Sequence, residues 1–232
     1  MNQIVILAGG LGTRLRPITE KVPKPLVPVA GKPFLEWQIE FVKKCGFKKI
    51  LLLVSYLGEQ IEEHFGDGQS FGVELQYSFE KEPLGTGGAI ALAESFLEEQ
   101  FIVLNGDSFL PVDLHKFSNW FESSDYSAGM SNYKKLDQVT VPANLKTEGD
   151  LVVEYAKGAG QSLGFFAVDS GVYSFRRSLF EGRSGETFSI ESLWPGLIEI
   201  KGLGSIEMDQ RFFDIGTPER LAEFEGVIND YF

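Results

Sequence analysis

Ile4-Val5-Ile6-Leu7-Ala8-Gly9-Gly10-Leu11-Gly12-Thr13-Arg14-Leu15-Arg16-Pro17 stands near the start of the chain, and its reading decides the fold. Four consecutive apolar residues, Ile4–Leu7, predict a strand buried on both faces. Gly9, Gly10 and Gly12 stop it, and their backbone can approach a ligand closely and cradle phosphate oxygens with its amides. Two familiar phosphate loops do not fit. A Walker A loop ends in Gly-Lys-Ser/Thr, whereas this segment has Gly12-Thr13-Arg14. A dinucleotide fingerprint needs glycine at the sixth position from Gly10, where Leu15 stands. What remains is a glycine turn followed at once by Arg14, then by Lys24 in Pro23-Lys24-Pro25-Leu26-Val27-Pro28-Val29. The flanking prolines predict an extended backbone at Lys24 and a lower entropic cost of presenting its ammonium.

Outward from this segment, short apolar runs alternate with amphipathic stretches. Strands are predicted at Ile50–Val54, Val73–Tyr77 and Phe101–Leu104. Helices are predicted at Phe34–Cys45, Glu59–Phe65 and Ala89–Phe96. That alternation implies βαβ units and a parallel sheet. Beyond Ser127 strands dominate, at Val139–Leu145, Leu151–Tyr155, Phe165–Phe175 and Leu203–Met208, before a last helix over Pro218–Tyr231. The fold class expected is α/β, three layers, Rossmann-like, with a mixed, mostly parallel sheet. No repeat or convincing linker divides the 232 residues, so 1–232 reads as one domain. Its nucleotide-binding part would be about 1–110 and its sugar-phosphate-binding part about 111–232.

The net charge of −12, from 33 acidic and 21 basic residues, argues against a nucleic-acid partner, which needs a basic footprint. In so acidic a chain, Arg and Lys beside a glycine turn are informative. Cys45 is the only cysteine, which excludes an internal disulfide and a cysteine metal site. The absence of a leader pattern and of a long apolar run leads us to expect a cytoplasmic protein without a membrane partner. His64 and His115 have no metal-spaced partner and read as structural. Trp37, Trp120 and Trp194 read as packing, and Glu59, Glu62 and Glu63 as a solvated helix face.

Three further segments complete a pattern: Glu82-Pro83-Leu84-Gly85-Thr86-Gly87-Gly88, Asn105-Gly106-Asp107 and Asp214-Ile215-Gly216-Thr217-Pro218. Together with Gly9–Pro17 and Lys24–Val29 they resemble the signature of the sugar-1-phosphate nucleotidylyltransferase family over almost the whole chain. Within it, the similarity is greatest to the D-glycero-α-D-manno-heptose 1-phosphate guanylyltransferases. The resemblance implies the nucleotidyltransferase (GT-A-like) form of the α/β fold, a nucleoside triphosphate and a sugar 1-phosphate as substrates, and Mg²⁺ as cofactor.

It also implies roles. Arg14, Lys24 and Asp107 would be catalytic. Leu7, Ala8, Gly9, Gly10, Gly12, Thr13, Glu82, Gly87 and Asn105 would bind the nucleotide. Gly106, Lys157, Asp169 and Gly171 would bind the sugar phosphate, and Asp107 and Asp214 the metal. Asp107 follows an apolar strand, where open α/β sheets bind ligands, and Mg²⁺ takes one or two carboxylates with phosphates and water. Glu82 is expected to accept hydrogen bonds from a base edge. Guanine offers N1–H and its 2-amino group; uracil and thymine offer N3–H, so the base stays open.

The acceptor half departs from the family pattern. Tyr155-Ala156-Lys157 puts Ala156 where the family carries a glutamate. Asp169-Ser170-Gly171-Val172-Tyr173 replaces Asn-Gly or Asn-Ala-Gly, and Asp137-Gln138-Val139-Thr140 replaces a Tyr-Gly pair. By the resemblance, all three would touch the sugar rather than the nucleotide. The first expectation is guanylyl transfer from GTP to that heptose 1-phosphate. The alternatives are uridylyl or thymidylyl transfer to a hexose or N-acetylmuramate 1-phosphate, and a silent nucleotide-sugar-binding protein. Homo-oligomerisation is left open.

Overall fold

A computed structural model describes residues Met1–Phe232. Nine strands form one sheet: β1 (Gln3–Leu7), β2 (Lys49–Val54), β3 (Glu74–Phe79), β4 (Gln100–Asn105), β5 (Ala128–Tyr133), β6 (Leu145–Glu148), β7 (Leu151–Tyr155), β8 (Val168–Arg176) and β9 (Leu203–Glu207). Six helices accompany them: α1 (Phe34–Lys44), α2 (Gly58–Phe65), α3 (Gly85–Leu92), α4 (Leu114–Glu122), α5 (Trp194–Glu199) and α6 (Pro218–Val227).

The strand order is β3-β2-β1-β4-β8-β5-β9-β7-β6. β3, β2, β1 and β4 are mutually parallel. β8 runs against both its neighbours, β9 returns parallel to β5, and β7 again opposes β9 and β6. The expected mixed sheet, parallel at its core, is what forms.

Pleating sorts the side chains of β1. Ile4 and Ile6 join one core with Leu35 and Ile39 of α1, Ile61 of α2 and Phe117 of α4. Val5 points to the other face, among Ile90 of α3, Phe175 of β8 and Trp194 of α5. Both faces are therefore covered, which gives the three layers and explains the unbroken apolar runs. A third cluster lies at one end of the sheet, where Phe34, Trp37, Phe109, Phe213, Phe224 and Ile228 pack. There Phe213–Asp214 pairs antiparallel with Ser108–Phe109. No helix is long and apolar enough to cross a membrane.

Three sequence expectations are corrected. Val139–Leu145 is not a strand: a 3-10 turn at Leu136–Gln138 precedes a loop containing Pro142, and pairing starts only at Leu145. The strand Ala128–Tyr133 was not anticipated, because Gly129, Ser131 and Asn132 break its apolar pattern. All six residues are nonetheless buried. Ser131 hydrogen-bonds Ser170, and Asn132 Nδ2 donates to Ser205, while Asn132 Oδ1 is buried without a partner. Finally, α3 begins at Gly85 rather than Ala89, so the glycines lie within the helix.

Phe224 is fully buried, with its ring against those of Phe34, Phe109 and Phe213. Phe224→Ala should cost about 3–5 kcal/mol in urea denaturation, the usual range for deleting a core aromatic. A loss well below that would show that the third cluster is not cohesive.

Candidate active site

The strand order reverses at β1, between β2 and β4, and open α/β sheets bind ligands at such a point beyond the strands' carboxyl ends. A cavity of about 510 Å³ opens there. Ala8 continues the pairing one residue past β1, its N–H donating to the Leu53 carbonyl at 2.8 Å. On the other side the Gly106 N–H donates to the Leu7 carbonyl at 3.2 Å. A Cβ on Gly106 would lie 2.2 Å from that oxygen, so only glycine lets the loop after β4 come this close to the glycine turn.

Lys24 is buried, yet its Nζ lies 2.6 Å from Asp107 Oδ2, on a carboxylate that faces the cavity. The pair ties the segment after the glycine turn to the end of β4. The backbone at Lys24 is not extended as the prolines suggested. Lys24–Leu26 forms a 3-10 turn closed by the Leu26 N–H on the Pro23 carbonyl, and the extended residue is Pro23. Arg14 lines the same cavity and, unlike Lys24 and Arg220, has no carboxylate partner. It is the cation free to meet an anionic ligand.

The Ser108–Phe109 and Phe213–Asp214 pairing sets Asp214 beside Asp107, with the Ile215 N–H donating to the Asp107 carbonyl at 2.9 Å. Asp214 Oδ1 accepts from the Gly216 N–H and Oδ2 from Arg220. Asp214 does not itself line the cavity, although Gly216 does. No group of three or more His, Cys, Asp or Glu exists to cage a metal. Two neighbouring carboxylates with spare lone pairs, next to room for phosphates, are the donor set that Mg²⁺ uses. The residues fit it.

The cavity gathers Leu7, Ala8, Gly9, Gly10, Gly12, Thr13, Arg14, Lys24, Asn105, Gly106 and Asp107 of the residues expected from sequence. Glu82, Gly87, Lys157, Asp169 and Gly171 stand outside it, as Asp214 does. Glu82 is exposed; the carboxylate on the wall is Glu80, the residue after β3, which accepts from the Leu84 N–H at 2.9 Å. Burial pushes the Glu80 carboxyl up, against that hydrogen bond. Gly87 faces Phe188, where an added Cβ would come within 2.2 Å of the ring. Lys157 is mostly exposed and pairs with Glu191, a wall residue that sequence reading missed along with Ser55 and Thr86. Position at a strand's carboxyl end marks Glu80 in retrospect; nothing local marks Glu191.

Asp169 is turned to structure. Its Oδ1 accepts the Gly171 N–H and its Oδ2 the Tyr173 hydroxyl, holding an irregularity in the β8–β5 register. Gly171 thereby lies against Asn105. Burial raises the Asp169 carboxyl to about 6, with Glu191 adding to it and the two hydrogen bonds and Lys157 opposing.

This chain matches the family model described as "Nucleotidyl transferase" over residues 3–135. It is 38% identical to the D-glycero-alpha-D-manno-heptose 1-phosphate guanylyltransferase of Campylobacter jejuni, over 96% of this chain and 98% of that one. The enzyme of the same name from Aneurinibacillus thermoaerophilus is 33% identical over 99% of each. Among solved structures, HddC from Yersinia pseudotuberculosis complexed with GMP-PN is similar with a TM-score of 0.75 and 30% identity, covering 96% of this chain and 97% of that one.

An unfolded aspartate titrates near 3.9. Between that value and about 6 the folded chain keeps a proton on Asp169 that the unfolded chain has lost. This group's contribution to stability therefore falls as pH rises through that window. Asp169→Asn should gain stability relative to the parent at about pH 7.5 compared with about pH 4.5, read by urea denaturation. A difference independent of pH would contradict the assignment.

Proposed function

The chain belongs to the nucleotidyl transferase family, and on that premise we propose that it transfers a nucleoside monophosphate from a triphosphate to a sugar 1-phosphate, releasing pyrophosphate. GTP is the proposed donor and D-glycero-α-D-manno-heptose 1-phosphate the proposed acceptor, as in the names of the two relatives. The observation that carries the reading is the cavity itself. A glycine turn, an uncommitted Arg14 and the Lys24–Asp107 pair converge there at the carboxyl ends of β1 and β4.

Chemistry of this kind needs no general base. A phosphate monoester has its second pKa near 6, so the acceptor is largely dianionic at neutral pH. Its phosphate oxygen forms a bond to the α-phosphorus as the bond to the bridging oxygen of the β-phosphate breaks, and pyrophosphate leaves. The difficulty is repulsion between two anions, and the protein answers it by positioning and charge neutralisation. Arg14 would hold the β- and γ-phosphates. Lys24 would lie between the α-phosphate and the incoming phosphate, and the backbone of Gly9–Gly12 would line the triphosphate. Asp107 and Asp214 would hold the divalent ion that the family resemblance implies, proposed as Mg²⁺. When bound, it supplies positive charge to the phosphate oxygens.

Glu80 supports guanine as the base. Its Oε2 is held by Leu84, and Oε1 lies over Gly9 on the cavity wall. A carboxylate accepts from both N1–H and the 2-amino group, whereas uracil and thymine present only one donor to it.

Pyrophosphate release should be greatest for GTP when several triphosphates are tested against a sugar 1-phosphate panel. It should vanish with EDTA and return with Mg²⁺. Asp107→Asn should lower kcat by about 10²–10³-fold or more, comparable to removing a key electrostatic group from an active site. Full activity in that variant would remove Asp107 from the mechanism. Glu80→Gln should raise the KM for GTP about tenfold or more, the loss of a charged hydrogen-bond acceptor, with the acceptor KM unchanged. An unchanged preference for GTP would dismiss Glu80 as the base reader.

A further inference from the structure

Gly85, at the start of α3, lines the cavity, and the glycines of this helix have a second use. They receive a segment from the second half of the chain. The Phe188 carbonyl accepts from both the Gly87 and Gly88 N–H groups, at 3.0 and 3.1 Å. The Phe188 N–H donates to Leu84, and the Ile190 N–H to Thr86 Oγ1 at 2.9 Å. An added Cβ on Gly85 would stand 2.6 Å from the Phe188 carbonyl oxygen, and one on Gly88 2.3 Å from that of Glu186. Arg183 covers the Phe188 ring, its guanidinium carbon 3.7 Å from the centroid. This latch fixes the next residue, Glu191, on the cavity wall.

Three carboxylates line the cavity, and two are accounted for: Glu80 beside the glycine turn and Asp107 on Lys24. Glu191 is the third, and the only one contributed from the second half of the chain. Lys157 holds its Oε1 at 3.0 Å. Burial alone would raise the Glu191 carboxyl, but the hydrogen bond and charge of Lys157 bring it below the ordinary value. It is therefore ionised at neutral pH, with lone pairs left over. Ala156, next to Lys157, has no polar side chain to offer a sugar, whereas Glu191 reaches the same neighbourhood from another element.

We propose that Glu191 determines acceptor specificity, accepting hydrogen bonds from ring hydroxyls of the sugar 1-phosphate while anchoring Lys157 at the same edge of the cavity. The assignment rests on the transferase reading above. A carboxylate suits a polyol because each oxygen accepts from a hydroxyl without needing a donor in return. Its fixed backbone keeps the ordering cost of binding low.

The experiment compares the native protein, Glu191→Ala and Glu191→Asp, using GTP, the best acceptor of the panel and its single-deoxy analogues. Glu191→Ala should raise the acceptor KM about tenfold or more, the cost of losing a charged hydrogen-bond partner. The KM for GTP should move less than about twofold and the melting temperature little, since the latch is backbone and Phe188. At least one deoxy analogue should be poor for the native protein yet as good as its parent for Glu191→Ala. Glu191→Asp should recover part of the loss. An acceptor KM within about twofold of native in Glu191→Ala, or equal rises for both substrates, overturns the assignment while the transferase reading stands. No turnover by the native protein with any pair of substrates overturns both.

Discussion

A lysine ammonium cannot be taken out of water alone, because the cost of stripping its charge far exceeds any packing gain. Lys24 is buried, and its compensation is Asp107, 2.6 Å away at the end of β4. The two residues come from segments 83 positions apart, so the pair closes the site as much as it charges it. Around this bond the glycine turn lies against the Gly106 loop, and Arg14 is left uncommitted. Such a pair is weak evidence for stability, since desolvation offsets much of the Coulomb gain. Its worth is in registering two loops.

The parallel half of the sheet was readable because strands covered on both faces must be continuously apolar, as Ile4–Leu7 and Ile50–Val54 are. The same rule hid β5, whose Gly129, Ser131 and Asn132 are buried through hydrogen bonds and through room made for Trp120 and Phe121. Residues that end the parallel strands, Asn105 and Asp107 among them, could be placed from their order in the chain. Residues whose position depends on tertiary docking could not. Glu82 and Glu80 are two apart in sequence, and only the path of the chain after β3 decides which faces the cavity. Asp169 looked like a ligand group and is instead consumed by Gly171 and Tyr173.

Glycine-rich sequence carries the same ambiguity at two places. In Gly9–Gly12 the exposed amides surround a cavity, as a phosphate-binding turn requires. In Gly85–Gly88 the missing side chains make space for protein, and the Gly87 and Gly88 amides are spent on Phe188. Composition cannot separate a surface shaped for a ligand from one shaped for the chain itself.

The third cluster joins Val29, Phe34 and Trp37 from the early chain to Phe213, Ile215, Phe224 and Ile228 from its last stretch. Asp214 is held on this late ribbon. During synthesis the first βαβ units can pair as they emerge, since their contacts are near in sequence. The aromatic closure has to wait until residues 213–228 have emerged. A nascent chain that has not yet reached this stretch would therefore own its glycine turn and Lys24 while still lacking Asp214.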